Sequence, residues 1–234
     1  MTPPEVIQHE GVFVVRDDRF PGGTKARFLP LLFDGVNEVV YASAAEGGAQ
    51  TALATVAAQF GKRATIFVAK RAQPHARALM AKRLGAKIMQ VSPGYLSTVQ
   101  ARARDYSRQP GVRLAPFGVD LPEAIEAIAS AAHTTGLEPD EVWCASGSGV
   151  LARGLAMAWP KARRHVVQVG RKLEPDEVAG ATIHIYPLPF GREAKAKPPF
   201  PSDPHYDAKA WEYCAARKGP GRVLFWNVAG PAQP

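Results

Sequence analysis

A lysine at position 25 follows a Pro-Gly-Gly turn and precedes a segment with helical character, in the stretch FPGGTKARFL. A lysine there is either a solvated surface residue or an amine held in place to react with a carbonyl group. Two further glycine-bearing segments stand where a predicted strand runs into a predicted helix. These three segments are the candidates for chemistry.

The strongest of the glycine segments lies between the apolar run EVWCAS and the helical run VLARGLAMAW. It contains Ser146, Gly147, Ser148, Gly149 and Val150. Glycines let the backbone approach an anion, and the free amides at a helix start favour a phosphate. Gly154 comes too late for the dinucleotide fingerprint, so a nicotinamide site is disfavoured. The alternative is a tight turn without a ligand.

A second glycine segment, SAAEGGAQTALA, places Gly47, Gly48, Gln50 and Thr51 at another predicted helix start. Backbone amides there could hold a second anion such as a carboxylate. Glu46 is either a general base or an ordinary loop acid. A phosphate cradle, a carboxylate cradle and a lysine together suggest a phosphorylated aldehyde cofactor, for which pyridoxal phosphate is the prime candidate.

Strand-like and helix-like segments alternate along most of the chain, which predicts an α/β fold with parallel sheet. Predicted strands cover 11–15, 37–43, 63–70, 86–91, 112–118, 141–146, 164–170, 181–188 and 222–228. Predicted helices cover 24–35, with an interruption at Pro30, and 50–61, 74–84, 95–107, 121–136, 147–159 and 208–219. The Pro-rich and basic stretch 191–205 is predicted to be a loop or lid.

Composition excludes some classes of protein. The 234 residues are 46% hydrophobic, which is enough for a substantial core and argues against disorder. The net charge of +8 favours anionic partners without choosing among them. Cys144 and Cys214 match no metal-ligand spacing and are expected to be reduced thiols. No signal peptide or membrane span is evident, so we predict a cytoplasmic protein.

Three stretches of the sequence resemble the fold-type-II pyridoxal-phosphate enzymes, the tryptophan synthase β-like superfamily. The nearest group is the 1-aminocyclopropane-1-carboxylate deaminases and D-cysteine desulfhydrases. VVRDDRFPGGTKARFL resembles the group's lysine motif, and GSGVLARGL resembles its phosphate loop. DPHYDAKAWEYCAARKGPGRVLFWNVAG resembles its C-terminal motif.

The resemblance implies a role for each matching position. Lys25 would be the Schiff-base lysine, the loop from Ser146 to Val150 would bind phosphate, and Asp207 would face the pyridine nitrogen. Tyr206 would lie near the substrate, and Gly47, Gly48, Gln50 and Thr51 would contact it. The alternatives are a surface lysine for Lys25, a core or lid aromatic for Tyr206 and a helix N-cap for Asp207.

The sequence also departs from the group's pattern. Gly47, Gly48 and Ala49 replace its Ser-Asn-His, Val150 and Leu151 replace Gly-Thr, and Val228 and Ala229 replace Thr-Gly. The chain is shorter than is typical of the group. We expect a larger cofactor-binding lobe from 1–36 and 112–234, a smaller α/β lobe from 37–111, and a more open cofactor face.

The function implied is a pyridoxal-phosphate lyase, deaminase or decarboxylase acting on the amino group or α-carbon of an amino-acid-like substrate, as a homodimer. One alternative keeps the chemistry but acts on amino-acid-modified DNA bases in a phage DNA-modification pathway. A second is a non-catalytic α/β protein that binds a phosphate or nucleotide.

Overall fold

The computed structural model describes residues 2–92 and 94–232, which form two compact units. Of the described residues, the first unit comprises 2–27 and 120–231, and the second comprises 28–92, 94–119 and 232. The strands are β1 (Val6–His9), β2 (Val12–Arg16), β3 (Glu38–Ser43), β4 (Arg63–Ala69), β5 (Lys87–Val91), β6 (Val112–Leu114), β7 (Glu141–Ser146), β8 (Arg163–Gln168), β9 (Thr182–Ile185) and β10 (Val223–Asn227). The α-helices are α1 (Ala49–Gln59), α2 (Ala76–Arg83), α3 (Leu96–Tyr106), α4 (Pro122–His133), α5 (Val150–Ala158) and α6 (Asp207–Arg217).

A six-stranded sheet in the order β1-β2-β10-β7-β8-β9 forms the centre of the first unit. Only β1 runs antiparallel to its neighbour, and the other pairs are parallel. The middle strands β7 and β10 are buried along their whole length, as expected of parallel strands that are covered on both faces. Helix α6 packs on one face through Trp211 and Cys214, against Trp143 and Phe225.

The second unit has a four-stranded parallel sheet in the order β5-β4-β3-β6. Helix α3 covers one face, where Val99 and Ala103 pack with Val40 and Phe67. Helices α1 and α2 pack against each other and against the other face. The carboxyl ends of β3 and β4 therefore share one edge of this sheet, and their amino ends share the opposite edge.

The predicted α/β alternation is present, with three local differences. Of the segment predicted as a strand at 112–118, only β6 is a strand, and Phe117–Val119 forms a 3₁₀ helix. The segment predicted as a helix at 24–35 forms two short 3₁₀ helices, Thr24–Arg27 and Leu29–Phe33. Pro30 lacks an amide hydrogen and so cannot continue an α-helical ladder from the first turn into the second. Strand β1 is an addition to the predicted strands, because four residues are too short for a periodic signal.

The stretch predicted as a loop or lid is irregular. Residues 186–206 contain neither helix nor strand. Both cysteines are free and buried, and burial raises the pKa of each thiol. Among the described residues, no helix combines the length and the apolar character needed to cross a bilayer.

Candidate functional site

Lys25 is held by a turn that docks on the end of β10. The turn passes through Gly22 and Gly23, both at positive φ. A Cβ on Gly23 would lie 2.5 Å from the carbonyl oxygen of Val228, so only glycine fits there. The Thr24 amide donates to the same oxygen at 3.1 Å. The turn therefore places Lys25 beside the carboxyl end of a central strand.

A buried polar network fixes the residues on both sides of Lys25. The Asp17 carboxylate accepts from the Thr24 hydroxyl at 2.8 Å and from the Arg27 guanidinium at 2.6 Å. The Trp226 indole N–H donates to the Thr24 hydroxyl at 2.9 Å. Because the Asp17 and Arg27 side chains are almost completely buried, breaking this network would leave unpaired charge in the core.

The amine of Lys25 itself has no such partner. Within the described part of the chain it makes no hydrogen bond or ion pair. Burial lowers the pKa of the amine, and the Asp207 carboxylate opposes that shift. A larger neutral fraction makes the amine a better nucleophile at neutral pH than an exposed lysine.

The glycine loop after β7 has the geometry of an anion cradle. Gly149 adopts φ 85° before α5 begins at Val150, and its amide donates to the Ser146 hydroxyl at 2.9 Å. A Cβ on Gly149 would overlap the carbonyl oxygen of Glu177. The first amides of α5 have no acceptor within the helix, so they can serve an anion.

Asp207 begins α6 and is completely buried. Its Oδ2 accepts from the Ala229 amide at 3.1 Å, whereas its Oδ1 has no hydrogen-bond partner among the described residues. Burial, and secondarily the nearby Asp203, hold the pKa of Asp207 well above its usual range. An unpartnered buried acceptor is costly unless a donor arrives. The protonated nitrogen of a pyridine ring is such a donor, so this residue fits a pyridoxal cofactor.

Tyr206 connects the glycine loop to Asp207. Its ring carbon Cε2 lies 3.9 Å from the position that a Cβ on Gly147 would occupy. Burial, and then the Asp207 carboxylate, raise the pKa of its hydroxyl, while a hydrogen bond from the Gly147 backbone opposes the shift. Lys25, the Ser146–Val150 loop, Tyr206 and Asp207 therefore all belong to the first unit, and Asp207 couples electrostatically to both Lys25 and Tyr206.

Because its charge acts on Asp207, Asp203 is a candidate site residue, one that the sequence analysis did not single out. It accepts from the His205 amide at 2.8 Å, and its own amide donates to the Ala229 carbonyl at 2.9 Å. It thereby ties the segment before α6 to the residue that also donates to Asp207. The available signal is the Asp-Pro pair that opens the C-terminal motif.

The Gly47–Thr51 segment lies in the second unit, at the start of α1. Gln50 is fully buried and donates to the carbonyls of Ala44 and Ala45 at 2.9 and 2.8 Å. The Thr51 hydroxyl donates to the Gly48 carbonyl at 3.0 Å. These contacts shape the loop itself, but the Oε1 of Gln50 has no hydrogen-bond partner among the described residues. The backbone amides and this buried oxygen are therefore the groups with which the loop could contact a ligand.

Glu46, on the same segment, is buried and pairs with Arg71 at 3.0 Å. This favours a loop-stabilising role for Glu46.

Comparison with known proteins agrees with this geometry. Residues 7–187 match the family model described as pyridoxal-phosphate dependent enzyme. No curated protein matches the chain at the level of sequence. Many solved structures share its fold, at low sequence identity.

Three of these solved structures illustrate the likeness. An ACC deaminase homologue is 17% identical with a TM-score of 0.80, covering 94% of this chain and 84% of its own. Threonine deaminase isoform 2 from Solanum lycopersicum is 16% identical with a TM-score of 0.70, covering 99% and 79%. Diaminopropionate ammonia lyase from Escherichia coli is 17% identical with a TM-score of 0.67, covering 94% and 77%.

The family match spans more than half of the chain, and the shared fold agrees with the mixed and parallel sheets described above. The predicted fold type and the predicted cofactor are therefore confirmed. The chain belongs to the pyridoxal-phosphate-dependent enzymes of fold type II.

Proposed function

We propose that this enzyme attaches pyridoxal phosphate through Lys25 and acts on the amino group or α-carbon of an amino-acid-like substrate. One observation carries the proposal. Within the described part of the chain, the Lys25 amine makes no hydrogen bond, and it interacts electrostatically with Asp207, whose buried Oδ1 also has no hydrogen-bond partner. Pyridoxal phosphate, when bound, supplies a conjugated ring that takes up negative charge from the substrate's α-carbon.

Each group of the site would have one task. The backbone amides from Gly147 to Val150 would hold the phosphate, as the helix start and the glycine at φ 85° allow. Asp207 would hold a proton at the pyridine nitrogen through Oδ1 and so strengthen the electron sink. Tyr206 would orient the loop and the substrate.

Lys25 would have a second task once the substrate's amine has displaced it. Its released amine would move a proton to or from the substrate's α-carbon, and the lowered pKa suits it to that role at neutral pH. The amides of Gly47–Thr51 would bind the substrate's carboxylate.

The reaction class that we favour is lyase or deaminase. Two of the structurally similar proteins are named as deaminase and ammonia lyase, and the proposed site has the groups that such chemistry needs. Decarboxylation would use the same electron sink. A free amino acid, rather than one attached to DNA, is the proposed substrate, and a cytoplasmic homodimer is the proposed state.

Absorbance and peptide mapping test the central assignment. Purified protein incubated with pyridoxal phosphate should develop a yellow absorbance band that borohydride abolishes. Mass spectrometry of the reduced protein should then find the pyridoxyl group on the peptide that contains Lys25. Lys25→Ala should lack the band, whereas Lys195→Ala, at an exposed position in the same unit, should keep it.

A reduced group on another lysine, or an unchanged band in Lys25→Ala, would overturn the assignment. A colourless protein that binds nucleotides instead would favour the non-catalytic alternative. A screen of amino acids against amino-acid-modified DNA, read out as reduced cofactor adducts, then identifies the substrate class.

A further inference from the structure

The excess of positive over negative charge lies in one of the two units. Residues 28–119 contain 12 lysines and arginines against 4 aspartates and glutamates, which gives that unit a net charge of +8. The first unit contains 17 basic and 17 acidic residues, so its net charge is zero. A general solubility requirement would not concentrate the excess in the smaller unit.

Many of these cations gather at one edge of the four-stranded sheet. Parallel strands begin at the same edge, and the helices that connect them end there. Lys62 precedes β4, which begins at Arg63, and Lys87 begins β5. Helices α2 and α3 end at the same edge. We call this surface the basic edge, and it consists of Lys62, Arg63, Lys82, Arg83, Lys87, Arg104 and Arg108.

Acidic residues neutralise only part of the basic edge. Glu38 is buried and pairs with Arg63 at 3.0 Å, while Asp105 lies 3.7 Å from Arg108. Asp34, on the turn before β3, is the third acid near these strand ends. In the described part of this edge, three acids thus stand against seven cations, and the Lys82, Lys87 and Arg104 side chains are exposed.

An exposed aromatic ring lies at the same edge. Phe60 follows the last residue of α1, directly before Gly61 and Lys62, and is 54% exposed. Because α1 and α2 pack side by side and run in the same direction, Phe60 lies at the same end as Lys82 and Arg83. A large apolar ring among surface cations contributes little to the core.

We propose that the basic edge binds single-stranded nucleic acid, with phosphates contacting its cations and a base stacking on Phe60. Surfaces that bind single strands combine positive charge with exposed aromatic rings, because every base has a face that can stack. Neutralising phosphates releases counterions, so the binding is salt-dependent. The Gly47–Thr51 segment lies at the opposite edge of this sheet, so the basic edge is an additional surface.

Charge-reversal variants test the phosphate contacts. Fluorescence anisotropy with a labelled 20-nucleotide oligo(dT) is measured over a series of salt concentrations, using the full-length protein loaded with cofactor. The triple variant Lys82→Glu, Lys87→Glu, Arg104→Glu should bind at least tenfold more weakly. The slope of its log association constant against log salt concentration should be less negative by about 2, because each lost phosphate contact changes the slope by roughly 0.7.

The matched control changes the same net charge in the first unit. Lys161→Glu, Lys195→Glu, Lys197→Glu alters three exposed lysines there and should bind much as the unmodified protein does. Equal weakening in both triple variants would overturn the proposal, because the effect would then follow net charge alone. Cofactor absorbance in both variants separates this result from any failure of the proposed function.

Substitution of Phe60 tests the stacking contact. Phe60→Ala should weaken binding roughly tenfold and Phe60→Trp should retain it, since loss of a stacked base costs about 1–3 kcal/mol. Tyr95→Ala, at an exposed aromatic ring before α3, is the control and should change little. No effect of Phe60→Ala, tighter binding to duplex DNA, or equally tight binding to polyglutamate would each overturn the proposal.

Discussion

The buried side chain of Asp207 is suited to a bound cofactor and destabilises the folded protein when no cofactor is bound. Its Oδ2 is satisfied by a backbone amide, but its Oδ1 has no donor in the described protein. Burial therefore favours the protonated acid and raises its pKa. A cofactor that brings an N–H to Oδ1 would reverse that preference, which links the charge of Asp207 to occupancy of the site.

The burial of Asp207 gives a pH-dependent prediction for the cofactor-free protein. Because the folded-state pKa of Asp207 lies above the unfolded value, its contribution to stability is complete below the unfolded pKa and is lost as pH rises through the folded pKa. Asp207→Asn cannot ionise, so its free energy of unfolding relative to the unsubstituted protein should rise between pH 4.5 and pH 7. Urea titrations at both pH values measure the difference.

Comparing two pH values separates ionisation from packing. The new amide adds a buried donor, but that cost is the same at both pH values and cancels in the comparison. A pH-independent difference between Asp207→Asn and the unsubstituted protein would contradict the assignment.

Residues in the site differ in how far the sequence reveals them. Lys25 and Asp207 stand in short motifs that resemble a known family, so their roles could be predicted. The Thr24 hydroxyl also binds Asp17, seven residues away, and Trp226, 202 residues away. The contact with Trp226 is made only when β2 and β10 pair, and no local sequence pattern predicts it.

At the scale of elements, Gly149 is the position where backbone geometry is most constrained. Its φ of 85° suits glycine, and the space beside its Cα is filled by the Glu177 carbonyl of the 3₁₀ helix Pro175–Val178. The β7–α5 junction thus depends on a neighbouring element as well as on its own turn. The proposed phosphate amides belong to this junction.

Gly149→Ala should therefore destabilise the protein by more than the cost of positive φ alone, which is about 1–2 kcal/mol for a non-glycine residue. The overlap of the new Cβ with the Glu177 carbonyl requires backbone movement, so a loss of about 3 kcal/mol or more is expected. Affinity for pyridoxal phosphate should fall with it. Thermal or urea unfolding and a cofactor titration measure the two effects.

Gly136→Ala is the matched control for this substitution. Gly136 also has positive φ, but no atom lies within 4 Å of the position that a Cβ would occupy there, so only the backbone cost applies. Its cofactor affinity should be unchanged. Equal destabilisation by both substitutions would mean that the Glu177 contact is unimportant.

Elements are more predictable than the details of their ends. Strands β3, β4, β7 and β10 are largely apolar and are bounded by turn residues, so their local pattern predicts them. The sequence of 24–35 predicts a short helix that is interrupted by Pro30. Its actual form, two 3₁₀ turns, depends on Pro30 and on docking against Val228, and only the first of these is visible in the sequence.

At the scale of the whole molecule, the division into two units changes the meaning of bulk composition. Composition alone yields a net charge of +8 but not its location, since the unit boundaries at 27/28 and 119/120 arise from tertiary packing. Every group proposed to hold the cofactor lies in the neutral unit, whereas the excess positive charge lies in the other. Cofactor chemistry and polyanion binding are therefore assigned to different parts of the chain.

Cofactor binding should stabilise the folded chain, and the stabilisation should be traceable to the first unit. A ligand at about 100 times its Kd adds about 2.7 kcal/mol, which for a chain of this size raises Tm by roughly 5–10 °C. Pyridoxal, which lacks the phosphate, should produce a much smaller shift at the same concentration if the Gly147–Val150 amides hold the phosphate.

Hydrogen exchange of the reduced, cofactor-loaded protein should show protection in peptides covering 20–29, 144–152 and 203–209. Protection confined to residues 28–119 would place the cofactor in the wrong unit, and equal shifts with pyridoxal and pyridoxal phosphate would remove the glycine loop from the site.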